Sequence, residues 1–210
     1  MVRKGRGPLA SWVIRSFRPS EVYRLREINP TFVSPATLRV HKTGAGLEVG
    51  WRLEEVTLPE PYDKGAAYDL TPEDLDEIAG RAMRDDCLVF VVEAKGRLVG
   101  LYDLEILHWN NTGWLWNLLV DVGHRGQGLG RALFDRGLAW AREQNLRSVV
   151  IETQSNNVPA CRFYQRVGCH LVGIQDEYYA NHDLEDSEVA VFWAYTVSDT
   201  APDAFAVAKA

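Results

Sequence analysis

The stretch Asp121-Val122-Gly123-His124-Arg125-Gly126-Gln127-Gly128-Leu129-Gly130-Arg131 lies between a strand-like run and a helix-like run. Glycine occupies the alternate positions 126, 128 and 130. Glycine tolerates positive φ and lets another group approach the backbone closely. A helix start then presents unpaired N–H groups and the positive end of its dipole to that space. The combination suits a phosphate or pyrophosphate. Arg125, Arg131, Arg136, Arg142 and Arg147 follow, opposed there only by Asp135 and Glu143. The plainer alternative is a glycine-rich turn before a helix with a solvated arginine face. The spacing is GxGxG, which fits neither the dinucleotide fingerprint GxGxxG nor the Gly-Lys-Ser/Thr of a nucleotide loop.

Working outward, the order of elements reads as α+β. Upstream, Cys87 to Ala94, Leu98 to His108 and Trp114 to Val122 form three strand-like runs. Lys95-Gly96 and Asn110 to Gly113 supply the turns between them, so an antiparallel meander is predicted. Downstream, the spacing predicts a helix over 128–144 with Leu129, Leu133, Phe134, Leu138 and Ala141 on one stripe. A strand Ser148 to Thr153 and a helix Asn157 to Val167 follow. Asn157 suits the cap, Pro159 the first turn and Gly168 the stop. Strands over His170–Tyr178 and Glu188–Val197 close the chain.

Further upstream, Thr71-Pro72-Glu73-Asp74 opens a helix running to Arg84, with Leu75, Ile78, Ala79 and Ala82 on one face. Glu21 to Ile28 reads as a short helix and Trp12 to Arg18 as a strand. Residues 30–69 are the hardest to place: Leu47 to Trp51 suits a strand, and Pro59 to Gly65 a turn-rich loop. The ends, 1–11 and 198–210, are expected to be flexible, leaving one domain over 12–197 with its core at 86–197.

Length and composition narrow the function. The chain has 210 residues, 46% apolar and 25% charged, which is ordinary globular composition. No stretch approaches the ~18 apolar residues of a membrane span. The run from Leu9 to Ile14 is too short for a signal sequence. A cytoplasmic protein without membrane contact is expected. The three cysteines (Cys87, Cys161, Cys169) form no CxxC pair, and the five histidines are scattered. Neither a disulfide framework nor a metal is expected. A net charge of −6 weighs against nucleic-acid binding.

Two motifs now stand in order. Arg125, Gly128 and Gly130 match R/Q-x-x-G-x-G/A. Asn157, Ala160, Phe163, Tyr164 and Gly168 match N-x-x-A-x-x-F/L-Y-x-x-x-G-F, with Cys169 in place of the last Phe. Together they resemble the GNAT superfamily of N-acetyltransferases, over about residues 86–197. Val122 departs from the Pro that many members carry. The run Glu152 to Cys161, the upstream Glu60 to Lys64 and the late strand Val191 to Tyr195 look like the streptothricin acetyltransferase group within it.

The resemblance implies a mixed sheet of six to seven strands with splayed central strands, flanked by helices. It implies acetyl-CoA as cosubstrate. Pantetheine would lie beside the strand of Leu119, Val120 and Val122. The pyrophosphate would sit on Arg125, Gly126, Gln127, Gly128, Leu129, Gly130 and Arg131, with Asn157, Ala160 and Tyr164 completing the site. Tyr164 occupies the usual general-acid position; a packed tyrosine beside Phe163 is the alternative. For the base, Asp103 ranks ahead of Glu105 and Glu152, each of which also suits a solvated carboxylate.

The implied acceptor is a small cationic amine, possessing for example the β-lysine of a streptothricin-type antibiotic. Acids at 48–86 and 176–186 would attract it, or are ordinary surface charge. Tyr62, Trp109, Tyr178 and Tyr179 would line its site, or merely pack. A protein N-terminus or lysine as acceptor, and a non-catalytic acyl-CoA sensor, are the competing readings. Oligomeric state is open, a homodimer included.

Overall fold

The computed structural model describes residues 12–65 and 69–198. The expectations for 1–11 and for 199–210 lie outside the described residues.

Seven strands form one mixed sheet: β1 (Trp12–Ser16), β4 (Cys87–Ala94), β5 (Arg97–Leu107), β6 (Thr112–Val120), β7 (Ser148–Gln154), β8 (His170–Gln175) and β9 (Ala190–Thr196). Their spatial order is β1-β4-β5-β6-β7-β9-β8. The predicted meander is β4-β5-β6, and β7 joins it as the parallel neighbour of β6. The helices are α1 (Pro72–Arg81), α2 (Leu129–Glu143), α3 (Val158–Val167) and the short α4 (Asp183–Asp186). This is the α+β arrangement expected.

Helices cover both faces of the sheet. On one face, Leu133, Phe134, Leu138 and Ala141 of α2 join Tyr102, Leu104, Leu115, Val149 and Ile151 of the strands. Gly137 brings α2 close to the sheet, since a Cβ there would lie 2.1 Å from the Tyr102 ring. On the other face, Leu75 and Ile78 of α1 join Leu25, Val89, Val91, Leu101 and Leu119. Thr71 caps α1 by accepting from the Asp74 N–H, and Asp74 accepts in return from the Thr71 N–H.

Residues 30–65 depart from expectation. β2 (Val33–Thr43) and β3 (Gly50–Asp63) form a long antiparallel hairpin outside the main sheet. Residues 46–48 make a 3-10 turn, so the strand expected at Leu47 starts at Gly50. The expected loop around Pro59 to Asp63 is the end of β3. The prolines explain why the run read as a loop. Proline cannot donate to a ladder and is confined to edges and bulges. The register breaks where Ser34 faces Tyr62 but Ala36 faces Thr57, and Pro35, Pro59 and Pro61 fall inside that break. The segment 19–27, expected as a helix from Glu21, is 3-10 helix with a kink at Glu21.

The hairpin is tied across the molecule. The Leu38 N–H donates to the Ser155 carbonyl at 2.9 Å. Lys42 pairs with Asp176 at 2.9 Å, Lys64 with Glu188 at 2.7 Å, and Arg162 with Glu55.

Candidate active site

The central strands part company. β6 pairs with β5 from Thr112 to Val120, but with β7 only from Thr112 to Leu115, opposite Ser148 to Ile151. Beyond Leu115 the two strands diverge. The cause is local to β6: Asp103 faces Asn117 while Leu104 faces Leu115, which leaves Trp116 as an extra residue. A bulge of this kind bends its strand and sharpens the twist. The gap becomes a cleft of about 560 Å³.

The glycine-rich loop lies at the mouth of this cleft. Gly126 and Gly128 have φ of 73° and 88°, and Gly128 caps α2 without a side-chain acceptor. The first N–H groups of α2 therefore face the cleft with no intrahelical acceptor. Asp121 shapes the approach by accepting from the N–H groups of Gly123 and Asn29 and from His124. These bonds hold its carboxyl below the usual range against the cost of burial.

Leu119, Val120, Arg125, Gly126, Gly128, Leu129, Gly130, Arg131, Asn157, Ala160 and Tyr164 all line the cleft. Gln127 and Val122 do not. The Gln127 amide turns back to the Gly123 carbonyl, and Val122 faces an adjoining groove shared with Arg125 and Phe32. Arg125 donates to the carbonyls of Val120 and Pro30, at 3.0 and 2.8 Å, and so ties the loop to β6 and to the start of the hairpin. Arg131 lines the cleft while paired with Asp135. Asn157 caps α3 by accepting from the Ala160 N–H. That sets Ala160 and Tyr164 one turn apart on the cleft wall.

Asp103, first among the sequence candidates for a base, is corrected by its surroundings. It has no exposed surface and does not line the cleft. Arg81 donates to both its carboxylate oxygens, and Asn117 to one of them. Burial pushes the Asp103 carboxyl up, and the Arg81 guanidinium opposes this. The carboxylate is thus the buried counter-ion of Arg81 and does not open to the cleft. Glu105 is likewise engaged, by Arg84 at 2.8 Å and by the Trp116 indole.

Glu152 is the candidate that reaches the cleft. It follows Ile151, the last residue of β7 that pairs with β6. Burial raises its carboxyl above the ordinary value, and the Tyr179 hydroxyl, which donates to it, partly offsets the rise. Beside it run Tyr179, Tyr178, Phe192, Trp114 and Trp116, with successive ring centroids 5.1, 5.7, 6.2 and 5.9 Å apart. Sequence reasoning gave Tyr178 and Tyr179 an either-or reading and missed Phe192. The alternation of β9, which puts Phe192 opposite Glu152, was the available signal. Trp109 is an exposed turn residue, and Tyr62 packs on Phe32. Many of the acids counted as an attractive wall are already paired: Glu54, Glu55, Glu77, Asp86 and Asp176 meet cations, and Asp74 is part of a helix cap.

Among the described residues no cluster of His, Cys, Asp and Glu suits a metal, and no helix is long and apolar enough to cross a membrane. Residues 51–169 match the sequence profile of the acetyltransferase (GNAT) family, more than half of the chain. The protein belongs to that family. It is an acetyl-CoA-dependent N-acetyltransferase.

This GNAT acetyltransferase is 28% identical over 186 residues to the streptothricin acetyltransferase of Escherichia coli, covering 89% of this chain and 97% of that protein. It is 28% identical over 171 residues to the Streptomyces lavendulae streptothricin acetyltransferase, covering 81% and 87%. The crystal structure of nourseothricin acetyltransferase superposes with a TM-score of 0.73 at 25% identity, covering 89% of this chain and 99% of that one. A Bacillus anthracis protein crystallised with acetyl coenzyme A shares the fold, with a TM-score of 0.70 at 24% identity and 89% and 99% coverage.

Proposed function

We propose that this acetyltransferase modifies a primary amine on a small molecule carrying more than one positive charge, of the streptothricin kind. The observation that carries the reading is Glu152, a carboxylate lining the same cleft as Gly128 and Tyr164, beside a belt of aromatic rings. Aromatic faces and a partly desolvated carboxylate both attract ammonium groups. The names of the relatives point to the same class of acceptor. A peptide acceptor is disfavoured, because Pro30 and Phe32, leading into the hairpin, form part of the cleft wall.

The residues fit acetyl-CoA. Positive-φ glycines and the uncapped start of α2 make a cradle for its pyrophosphate, with Arg131 beside it. Main-chain groups of residues 116–120, beyond the pairing with β7, suit the amides of pantetheine. Leu119, Val120, Asn157 and Ala160 complete that wall. Bound there, acetyl-CoA supplies an acetyl group already activated as a thioester. Glu152 would hold the acceptor ammonium and take its proton, and its raised pKa suits that exchange. Tyr164 would hold a proton at its phenol oxygen for the departing sulfur. Each positioned acid or base typically contributes about 10²–10⁴-fold.

Thiol release from acetyl-CoA, measured with a panel of amines, tests the acceptor. Streptothricin and other polycationic amines are expected to turn over fastest. Their kcat/KM should fall as salt rises, because exposed charges act over about 8 Å at physiological ionic strength. A panel in which neutral or acidic amines outrun every polycation would overturn the acceptor and leave the cofactor site standing.

A further inference from the structure

The bend after β8 is ordered from beneath. Asp183, only 2% exposed, begins α4. Its carboxylate accepts three consecutive main-chain N–H groups: Tyr178 at 2.8 Å and Tyr179 at 2.9 Å on Oδ2, and Ala180 at 2.7 Å on Oδ1. The Asp183 carbonyl accepts from the Glu188 N–H at 3.0 Å, which joins the bend to the chain entering β9.

The side chains held this way are not buried to stabilise the bend. Tyr178 and Tyr179 remain 43% and 37% exposed. Two ordered tyrosines with open faces are what a rigid ligand wall needs. The Tyr178 ring stands edge-on to Phe192, and the Tyr179 hydroxyl reaches Glu152. A continuous path therefore runs from the Asp183 carboxylate, through the main chain of 178–180 and the Tyr179 phenol, to the Glu152 carboxylate.

We infer that Asp183 is a positioning residue for the acceptor amine, fixing the 178–180 bend so that Tyr179 donates to one oxygen of Glu152 and leaves the other to the substrate. The inference rests on the reading of Glu152 under the proposed function. Without the bend, Glu152 would lose its donor and its direction. The other titratable groups facing Glu152 are Tyr178, Glu188 and the Cys161 thiol, and Glu188 is held by Lys64. Tyr179, unlike these three, hydrogen-bonds to Glu152.

The test uses the full-length enzyme with streptothricin as acceptor and compares Asp183→Asn, Tyr179→Phe and the double variant. Each single change should raise KM for the amine about tenfold, the loss of roughly one charge-assisted hydrogen bond. KM for acetyl-CoA should stay unchanged. Both should move the acid limb of the kcat/KM profile to higher pH, since Glu152 loses the donor that favours its anion. The double variant should be no worse than Tyr179→Phe alone. If Asp183→Asn does not fold, Asp183→Ser, which likewise keeps one acceptor oxygen but places no amide NH₂ against the main-chain N–H groups of 178–180, should show the same pattern.

A full additional loss in the double variant, or a lowered melting temperature with unchanged amine KM and pH profile, would overturn the inference. Failure of the parent enzyme to acetylate streptothricin would instead remove the acceptor reading, and this inference with it.

Discussion

Arg81 and Asp103 meet in a two-oxygen ion pair beneath the candidate site, with Nε 3.0 and 3.1 Å from the carboxylate oxygens and Nη2 at 2.8 Å. The guanidinium also lies 5.1 Å from the centre of the Trp116 ring, at the bulge that parts β6 from β7. The pair thus links α1 to the turning point of the central strand. Removing one partner of a buried pair leaves the other charge uncompensated, at about 3–5 kcal/mol. Asp103→Asn should lower stability by roughly the lower end of that range, read from denaturant unfolding. Stability within about 0.5 kcal/mol of the parent together with a large fall in kcat would restore a catalytic role.

Gly128 joins a left-handed backbone to the proposed pyrophosphate cradle. Its φ of 88° is left-handed, while a Cβ there would meet nothing within 4 Å. Gly128→Ala should therefore cost about 1–2 kcal/mol through the backbone alone. Gly128→Asp adds a negative charge where a pyrophosphate is expected. In the parent, acetyl-CoA at about 100 times its Kd should add ~2.7 kcal/mol of stability. That gain should vanish in Gly128→Asp, and a melting shift equal to the parent's would remove the loop from the cofactor site.

Tyr164 is buried against Phe163, with ring centroids 5.4 Å apart, and still lines the cleft. Tyr164→Phe keeps the ring and its packing. Acetyl-CoA affinity should be unchanged while kcat falls by about 10²-fold or more. Turnover within about twofold of the parent would make Tyr164 a packing residue only.

Glu152 gives the expected pH dependence. Burial raises its carboxyl above the ordinary 4.5. A base works only when deprotonated, so kcat/KM should fall on acidification with an apparent pKa above that value. Glu152→Gln should abolish this limb and reduce kcat/KM by about 10²-fold or more. An acid limb that persists unchanged in the variant would assign it to another group.

The local structure of the glycine-rich loop and of α3 was legible in the sequence because its determinants are local. The left-handed glycines, the Asn157 cap, Pro159 and the Gly168 stop each act on neighbours within a turn. The stripe from Leu129 to Ala141 follows from a 3.6-residue period. The meander followed from runs of β-forming residues broken by turn residues. The long β2–β3 hairpin did not, because its prolines fall in a bulge that only the register reveals.

The surroundings of the carboxylates depended on distant partners. Asp103 meets its counter-ion in Arg81, 22 residues away, and is completely buried, neither of which local spacing reveals. Glu152 takes its donor from Tyr179, 27 residues on, and that tyrosine is set by Asp183. Lys64 reaches Glu188 across 124 residues. Local spacing fixes backbone conformation, because steric and hydrogen-bonding preferences act between near neighbours. The charge state and task of a carboxylate depend on desolvation and on the groups facing it. Those are set only when remote segments pack together.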